Sequence, residues 1–282
     1  MIPSPDEHDA KPTDPAAGAV RRRVERHNLR DRVGSEDWIA SEVPLALHYN
    51  GQPHAVMLAT PGDLGDFALG FSLSEAIIER AGELESVAIE PRLEGIEVVM
   101  RIPQERAERL AARQRNMVGN SGCGLCGTRQ LEAVLRHPAA PGPGPRVDAA
   151  ALHRALSALE SAQPLNRLTG ATHAAAWSDC TGSLRLVRED VGRHNALDKL
   201  IGAMAAGKLD AQEGFLVLTS RASYEMVQKA TTVGIGLIVA ISAPTALAIY
   251  LAESAGATLV GFAREGGHVV YSQAQRIIAQ PE

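Results

Sequence analysis

A chain of 282 residues, 45% hydrophobic and 22% charged, is long enough to bury a sizeable core and has the balance of an ordinary soluble globular protein. A formal net charge of −5 excludes a protein whose main task is to coat nucleic acid. The absence of any run of about 18 apolar residues excludes a helical membrane span. Three cysteines, Cys123, Cys126 and Cys180, are too few and too odd a set for a disulfide scaffold. With no basic-then-apolar leader pattern in the first twenty residues, they fit a reducing cytoplasm.

The polar, proline-rich residues 1–18 are expected to form a disordered tail. The first strong element signal is PLALHYNGQPHAVMLAT: two apolar runs about Asn50-Gly51, a hairpin signature. Thr60-Pro61-Gly62-Asp63 then opens a helix, with Thr60 as its cap and Pro61 in its first turn. Phe67, Gly70, Phe71, Ser74 and Ile78 follow at helical spacing. SVAIEPRLEGIEVVMRI predicts a second strand pair, and Gln104 to Arg115 a charged helix. Residues 19–117 are thus expected to form an α+β lobe. Residues 118–147 supply the segment GNSGCGLCGTR, a short helix from about Thr128 to Arg136, and the Pro/Gly-rich connector HPAAPGPGPRV.

Residues 148–282 alternate. Strands are predicted at Thr172–Trp177, Ser183–Val187, Phe215–Thr219, Leu237–Ile241, Thr258–Ala263 and His268–Tyr271. Helices are predicted at 193–206, Tyr224–Val233 and Pro244–Ala255. The β-α-β-α-β run implies a mostly parallel sheet with ligands at the carboxyl ends of its strands. Polar residues gather at those ends: Arg188 to Asn195, then Ser220, Arg221, Ser223 and Glu225, then Ser242 and Thr245, then Arg264 to Gly267. Hydroxyls, guanidinium groups and free helix amides on one edge suit a polar anion, phosphate above all. Each junction alone reads as ordinary caps and turns; four on one expected edge read as a site. Glu189 and Asp190 are candidates for structural pairing with Arg188 and Arg193. His173 is expected in the core, and Cys180 in a hairpin turn.

The pair Cys123 and Cys126 admits three chemistries. Zinc needs further ligands, and His173, His194 and Cys180 are all distant in sequence. Thioredoxin-like exchange places the motif at a helix start directly after a strand. Here a charged helix precedes it and glycines flank it, which favours an accessible sulfur pair whose thiolate is aided by the partner thiol and Arg129.

NSGCGLCGTRQLE, LTGATHAAAW, REDVGRHNALDKLIG, TSRASYEMVQKA, SAPTALAIYLAESAGATLVGFAR and VVYS, in that order, resemble the formate dehydrogenase accessory sulfurtransferases, the FdhD family; EVPLALHYNG and TPGDLGDFALGF fit as well. The resemblance spans about residues 36–272. It implies a cytidine-deaminase-like three-layer α/β/α core with a smaller N-terminal α+β lobe, and a homodimer. It implies a sulfurtransferase that takes persulfide sulfur from a cysteine desulfurase and passes it to the bis-molybdopterin guanine dinucleotide cofactor of formate dehydrogenase. Cys123 then carries the persulfide, with Cys126 as its partner. Arg188, Arg193, His194, Ser220, Arg221 and the run Phe262, Ala263, Arg264, Glu265, Gly266 and Gly267 hold the molybdenum cofactor. No metal resident in the protein is implied. Past the GFxR motif the chain departs from the family pattern: Gly267 brings no charge and Val269 no side-chain hydrogen bond, so backbone amides are expected to carry more of the grip. Two other readings stand beside this one. A zinc-dependent deaminase needs an HxE motif, but His173-Ala174-Ala175 lacks the acid, and CxxC precedes it instead of following. A non-catalytic cofactor-binding chaperone needs the strand-end cluster but not the cysteines.

Overall fold

The computed structural model describes residues 18–118, 140–264 and 266–278, and the side chains of 115–118 are not among them. Its first element was not predicted from sequence: strands β1 (Ala19–His27) and β2 (Arg32–Ala40) form an antiparallel ribbon. Its strands are rich in arginine and lack the apolar alternation that announces a half-buried strand. The predicted hairpin follows as β3 (Val43–Tyr49) and β4 (Gln52–Ala59). Asn50 and Gly51 turn it with φ of 48° and 78°, the left-handed pair that a two-residue hairpin loop requires. Strands β5 (Ser86–Arg92) and β6 (Gly95–Arg101) complete a four-stranded sheet in the order β4-β3-β6-β5.

Helices α1 (Leu64–Ser74) and α2 (Gln104–Val118) cover one face of that sheet. Phe67, Ala68, Phe71 and Leu110 pack on Leu45, Leu47, Tyr49, Val98 and Met100. Helix α1 starts later than expected. Its cap position is Asp63, at φ 55°, and Thr60 does not cap it. Thr60 bonds elsewhere: its amide donates to Asp190 Oδ2 at 3.0 Å and its hydroxyl accepts from the Val191 amide at 3.1 Å.

The second half is a three-layer α/β/α arrangement about a six-stranded sheet, β13-β12-β11-β10-β8-β9. Its strands are β8 (His173–Asp179), β9 (Leu184–Asp190), β10 (Gly214–Leu218), β11 (Leu237–Ala240), β12 (Thr258–Arg264) and β13 (Gly267–Ser272). The mostly parallel sheet expected from sequence is corrected here. Only β10-β11 and β11-β12 pair in parallel, whereas β8, β9 and β13 join by antiparallel pairing. Tight connections make hairpins of β8-β9 and β12-β13, and hairpins pair antiparallel. Strand direction nonetheless agrees with the expectation: β9, β10, β11 and β12 all run the same way, so their carboxyl ends share one edge.

Two helices of this half, α3 (Ala149–Ser161) and α4 (Pro164–Thr169), went unread in the sequence. A signal for α3 was present: Asp148 caps it, accepting from the Ala150 amide at 2.8 Å. On one face of the sheet lie α5 (Arg193–Ala206), α6 (Tyr224–Thr232) and α7 (Ala246–Ala255), burying Leu197, Leu200, Val227 and Leu251 on Leu216, Leu218, Ile238 and Leu259. On the other face, Leu152, Ala155 and Leu159 of α3 pack on Phe215, Val217, Val239 and Val260. Residues 140–147 of the connector, expected to be flexible, are pinned where described. Arg276 donates to the Pro143 carbonyl at 2.7 Å, and Gln212 accepts from the Gly144 amide at 3.0 Å. Strands β7 (Val147–Asp148) and β14 (Ile277–Ile278) pair beside them.

The two halves meet where α1 crosses α5. A Cβ on Gly70 would stand 1.7 Å from the Asp198 carbonyl oxygen, and one on Gly202 1.8 Å from that of Asp66, so only glycine permits the approach. Two buried polar clusters flank the crossing. Lys199 Nζ lies 2.7 Å from Asp190 and donates to the Thr60 carbonyl at 2.9 Å. Lys229 Nζ reaches both Asp198 oxygens at 3.0 Å and Glu75 at 2.9 Å, and Ser74 Oγ donates to Asp198 at 2.5 Å.

Candidate nucleotide-phosphate edge

The carboxyl ends of β9 to β12 bring together most of the residues that sequence reasoning singled out, but they divide sharply in availability. The first group, at the end of β9, is committed to the interior. Arg188 sets Nε and Nη2 2.9 and 2.7 Å from Asp66 Oδ2, and its Nη1 donates to the Val187 carbonyl. It ties β9 to α1 and is not free to grip a ligand. Glu189 does not pair with Arg188: it accepts from the Leu165 and Asn166 amides at 3.0 and 2.7 Å and so satisfies the start of α4. Asp190 pairs with Lys199 instead of Arg193. The motif DVGRHNALDK is therefore largely an internal tie, with Asn195 donating to the Leu58 carbonyl at 2.8 Å as a further strut.

The second group is free. Arg193, first residue of α5, is half-buried, and its Nε is buried with no hydrogen-bond partner. Ser223 stands at the cap position of α6, yet its side chain makes no cap bond, and its Oγ is buried and unpartnered. Buried polar atoms are rarely left so, and with His194 Nε2 three at this edge have hydrogen-bonding capacity unused by protein partners. Arg221, just before α6, and Arg264, at the end of β12, are exposed. Ser220 is buried and donates to its neighbour's carbonyl at 3.1 Å. Thr245 caps α7, accepting from the Ala248 amide at 3.3 Å.

His194 lies between the groups. Its Nε2 is 2.7 Å from Glu225 Oε2, a charge contact without hydrogen-bond alignment, within the polar cluster that the sequence gathered but did not pair. Burial pulls the imidazole below its ordinary value; Glu225 opposes this, and Arg193 and Lys229 add to it. His173, at the start of β8, is likewise held low by burial and by Arg193.

Phe262 is among the residues that the resemblance implies for the cofactor, but the sequence gives no sign of its backbone conformation. It adopts φ 51° within the irregular pairing of β12 and β13, and its ring is 43% exposed. A left-handed aromatic residue is a strained arrangement, and such strain concentrates at functional sites. Its amide donates to the Ser242 carbonyl at 3.3 Å, which fixes it over the β11 junction. Ala263 beside it is buried, while Gly266, at φ 90°, and Gly267 leave the turn into β13 open. Glu265 lies outside the described residues, as do Cys123, Cys126, Arg129 and the short helix expected after them. Cys180 sits in the predicted hairpin turn, where its thiol donates to the Glu213 carbonyl at 3.4 Å. Burial, and then Asp179, push that thiol up, away from thiolate chemistry.

The free edge thus offers guanidinium groups, an uncapped helix start and one aromatic face. Phosphate oxygens suit the first two and a planar base the third. Residues 40–278 match the FdhD/NarQ family. Over 274 residues the chain is 54% identical to the sulfur carrier protein FdhD of Xanthomonas euvesicatoria pv. vesicatoria, an alignment covering 97% of this chain and 96% of the relative. It is 50% identical over 279 residues to the sulfur carrier protein FdhD of Cupriavidus necator, covering 97% and 96%. A crystal structure from Desulfotalea psychrophila, named provisionally as a formate dehydrogenase accessory protein, shares the fold with a TM-score of 0.72 at 22% identity, covering 92% of this chain and 99% of that one.

Proposed function

The chain belongs to the FdhD/NarQ family, and from that membership we propose that it is a sulfur carrier serving a formate dehydrogenase, taking sulfur from a cysteine desulfurase on Cys123 and delivering it to a bis-guanine-dinucleotide molybdenum cofactor. The observation that supports the acceptor half is the β9–β12 edge. Arg193 Nε and Ser223 Oγ are buried without partners there, and a phosphate would give each one. Arg221 and Arg264 add charge, each charge-assisted contact contributing roughly 1.5–3 kcal/mol. Phe262 offers its exposed face to a guanine, worth about 1–3 kcal/mol by stacking. With Arg188 held by Asp66, the phosphate grip falls to Arg193, Arg221, Arg264 and backbone amides at Ser223 and Gly266-Gly267.

The sulfur half follows from thiol chemistry. The Cys123 thiolate attacks the outer sulfur of the donor persulfide; the S–S bond breaks, the donor leaves as thiolate, and Cys123 holds –S–SH. For delivery, the Cys126 thiolate attacks the inner sulfur, a Cys123–Cys126 disulfide forms, and the outer sulfur departs as hydrosulfide to the acceptor. An external dithiol then reduces the disulfide and resets the pair.

Intact-protein mass spectrometry after incubation with a cysteine desulfurase and cysteine tests this reading. Wild type should gain one sulfur, roughly 32 Da, by thiolate attack on the donor. Cys123→Ala should gain none, and Cys126→Ala should gain the sulfur and fail to release it. No adduct on any variant, with stoichiometric zinc in the purified protein, would sink the carrier reading. A Cys123→Ala/Cys126→Ala double variant that still activates formate dehydrogenase would replace it with a binding-only role.

A further inference from the structure

Sulfur transfer makes no use of the β1-β2 ribbon. Among the described residues, each of its strands pairs only with the other, so the ribbon stands outside both sheets. β2 packs on α4, and among the described residues the outer edge of β1 has no strand partner. A two-stranded ribbon is marginal by itself, and an open edge presents unpaired amides and carbonyls to any extended chain.

In a chain of net charge −5, residues 21 to 32 hold six arginines: Arg21, Arg22, Arg23, Arg26, Arg30 and Arg32. Two are partnered within the ribbon. Arg21 lies 3.3 Å from Glu36 and stacks over Trp38, and Arg26 lies 3.1 Å from Asp37. The side chains of Arg22, Arg23, Arg30 and Arg32 are exposed and have no ion pair among the described residues. Val20 and Ile39, cross-strand neighbours, are both more than two-fifths exposed, as is Val33 opposite Arg26.

We propose that the open edge of β1 receives an extended acidic segment of a partner protein by strand addition, with its carboxylates on Arg22, Arg23, Arg30 and Arg32. Charge on an edge strand ordinarily keeps like edges apart. Here, among the described residues of the ribbon, four unpaired arginines stand against one unpaired carboxylate, Asp31, so the excess charge repels a second copy of this edge and admits an acidic strand. Nucleic acid fits less well. Glu25, Asp31, Glu36 and Asp37 are interspersed with the arginines, and the ribbon's one large aromatic ring is covered by Arg21. The unpaired main-chain groups suit an extended polypeptide with acidic residues on both faces, since Arg22 and Arg23 are consecutive in β1 and lie on opposite faces of the ribbon.

Fluorescence anisotropy of short labelled peptides against the full chain provides the test. A peptide of paired glutamates separated by valine should bind, and the same sequence N-methylated at every backbone amide, equally charged but unable to donate to a ladder, should bind far more weakly. An R22E/R23E/R30E/R32E variant should weaken binding by about tenfold or more. The milder Arg22→Gln/Arg23→Gln pair should give a partial loss and guards against a ribbon that no longer forms; circular dichroism checks both. Equal affinity for the two peptides, unchanged affinity in both variants, or tighter binding of an equally charged oligouridylate would overturn the proposal. So would binding seen only after removal of residues 2–17, which would assign the edge to the chain's own acidic run of Asp6, Glu7, Asp9 and Asp14.

Discussion

Lys229 and Asp198 are both almost wholly buried, and each is tolerated because of the other. Burial pushes the Asp198 carboxyl up; burial also opposes the charge on Lys229, but Asp198 and Glu75 outweigh it and hold the amine above its usual value. Removing one partner strands the other charge. Lys229→Met is expected to cost about 3–5 kcal/mol in urea unfolding, because Asp198 keeps only Ser74. Glu83 makes the opposite case at the surface. The Glu79 amide first, and then Arg106, hold its carboxyl down from 4.5 to about 2. Its folded value lies below its unfolded one, so its contribution is complete above about pH 4.5 and is lost as pH falls toward 2. Glu83→Gln should therefore lower the plateau above about pH 4.5 and converge on wild type as pH falls toward 2, flattening the acid limb between those values. For His194, Glu225 is the group that resists the downward pull of burial. Glu225→Gln should lower the His194 titration midpoint further, as read from its ring protons by NMR; an unmoved midpoint would mean the contact does not form in solution.

Helices show where pattern suffices and where it fails. Leu197, Leu200, Ile201 and Met204 recur at helical spacing, and the helix predicted over 193–206 matches α5 end to end. The same pattern says nothing of Gly70 and Gly202, whose importance lies in a neighbour more than a hundred residues away. Gly202→Ala should destabilise the protein by about 3 kcal/mol, since its Cβ would meet backbone that no rotamer change can move. Sheet direction was similarly hidden: strand patterns predicted six strands and a hairpin turn at Cys180, but not that β8 would lie antiparallel between β9 and β10 or that β13 would fold back on β12. At the end of β12, Phe262→Gly should remove left-handed strain and raise stability by up to about 1 kcal/mol, yet weaken GDP binding measured by calorimetry. A residue kept only for packing would show the opposite sign in stability.

Across the molecule, the candidate site was legible as a cluster and illegible as a division of labour. The motif REDVGRHNALDK drew attention through its density of charge. Burial decides what that charge does, and burial is set by α1, which the motif's own sequence does not reveal. Arg188, Asp190, Asn195, Asp198 and Lys199 thus serve the interior, while Arg193 faces the edge with an unmatched donor. Because those ties cross between the halves, unfolding should be a single transition. In a Trp38→Phe variant, Trp177 fluorescence, reporting the larger sheet, and far-ultraviolet dichroism, reporting both halves, should share one midpoint in urea. Two separated midpoints would mean the ties are weak. The glycine crossing of α1 on α5 has a thermodynamic corollary. If the β9–β12 edge takes a nucleotide as proposed, backbone seated against backbone at the crossing leaves the two halves no closing motion to make around it. Its binding heat capacity should then scale with the surface of the nucleotide and its immediate contacts alone, without the large negative increment that accompanies two lobes folding together around a ligand.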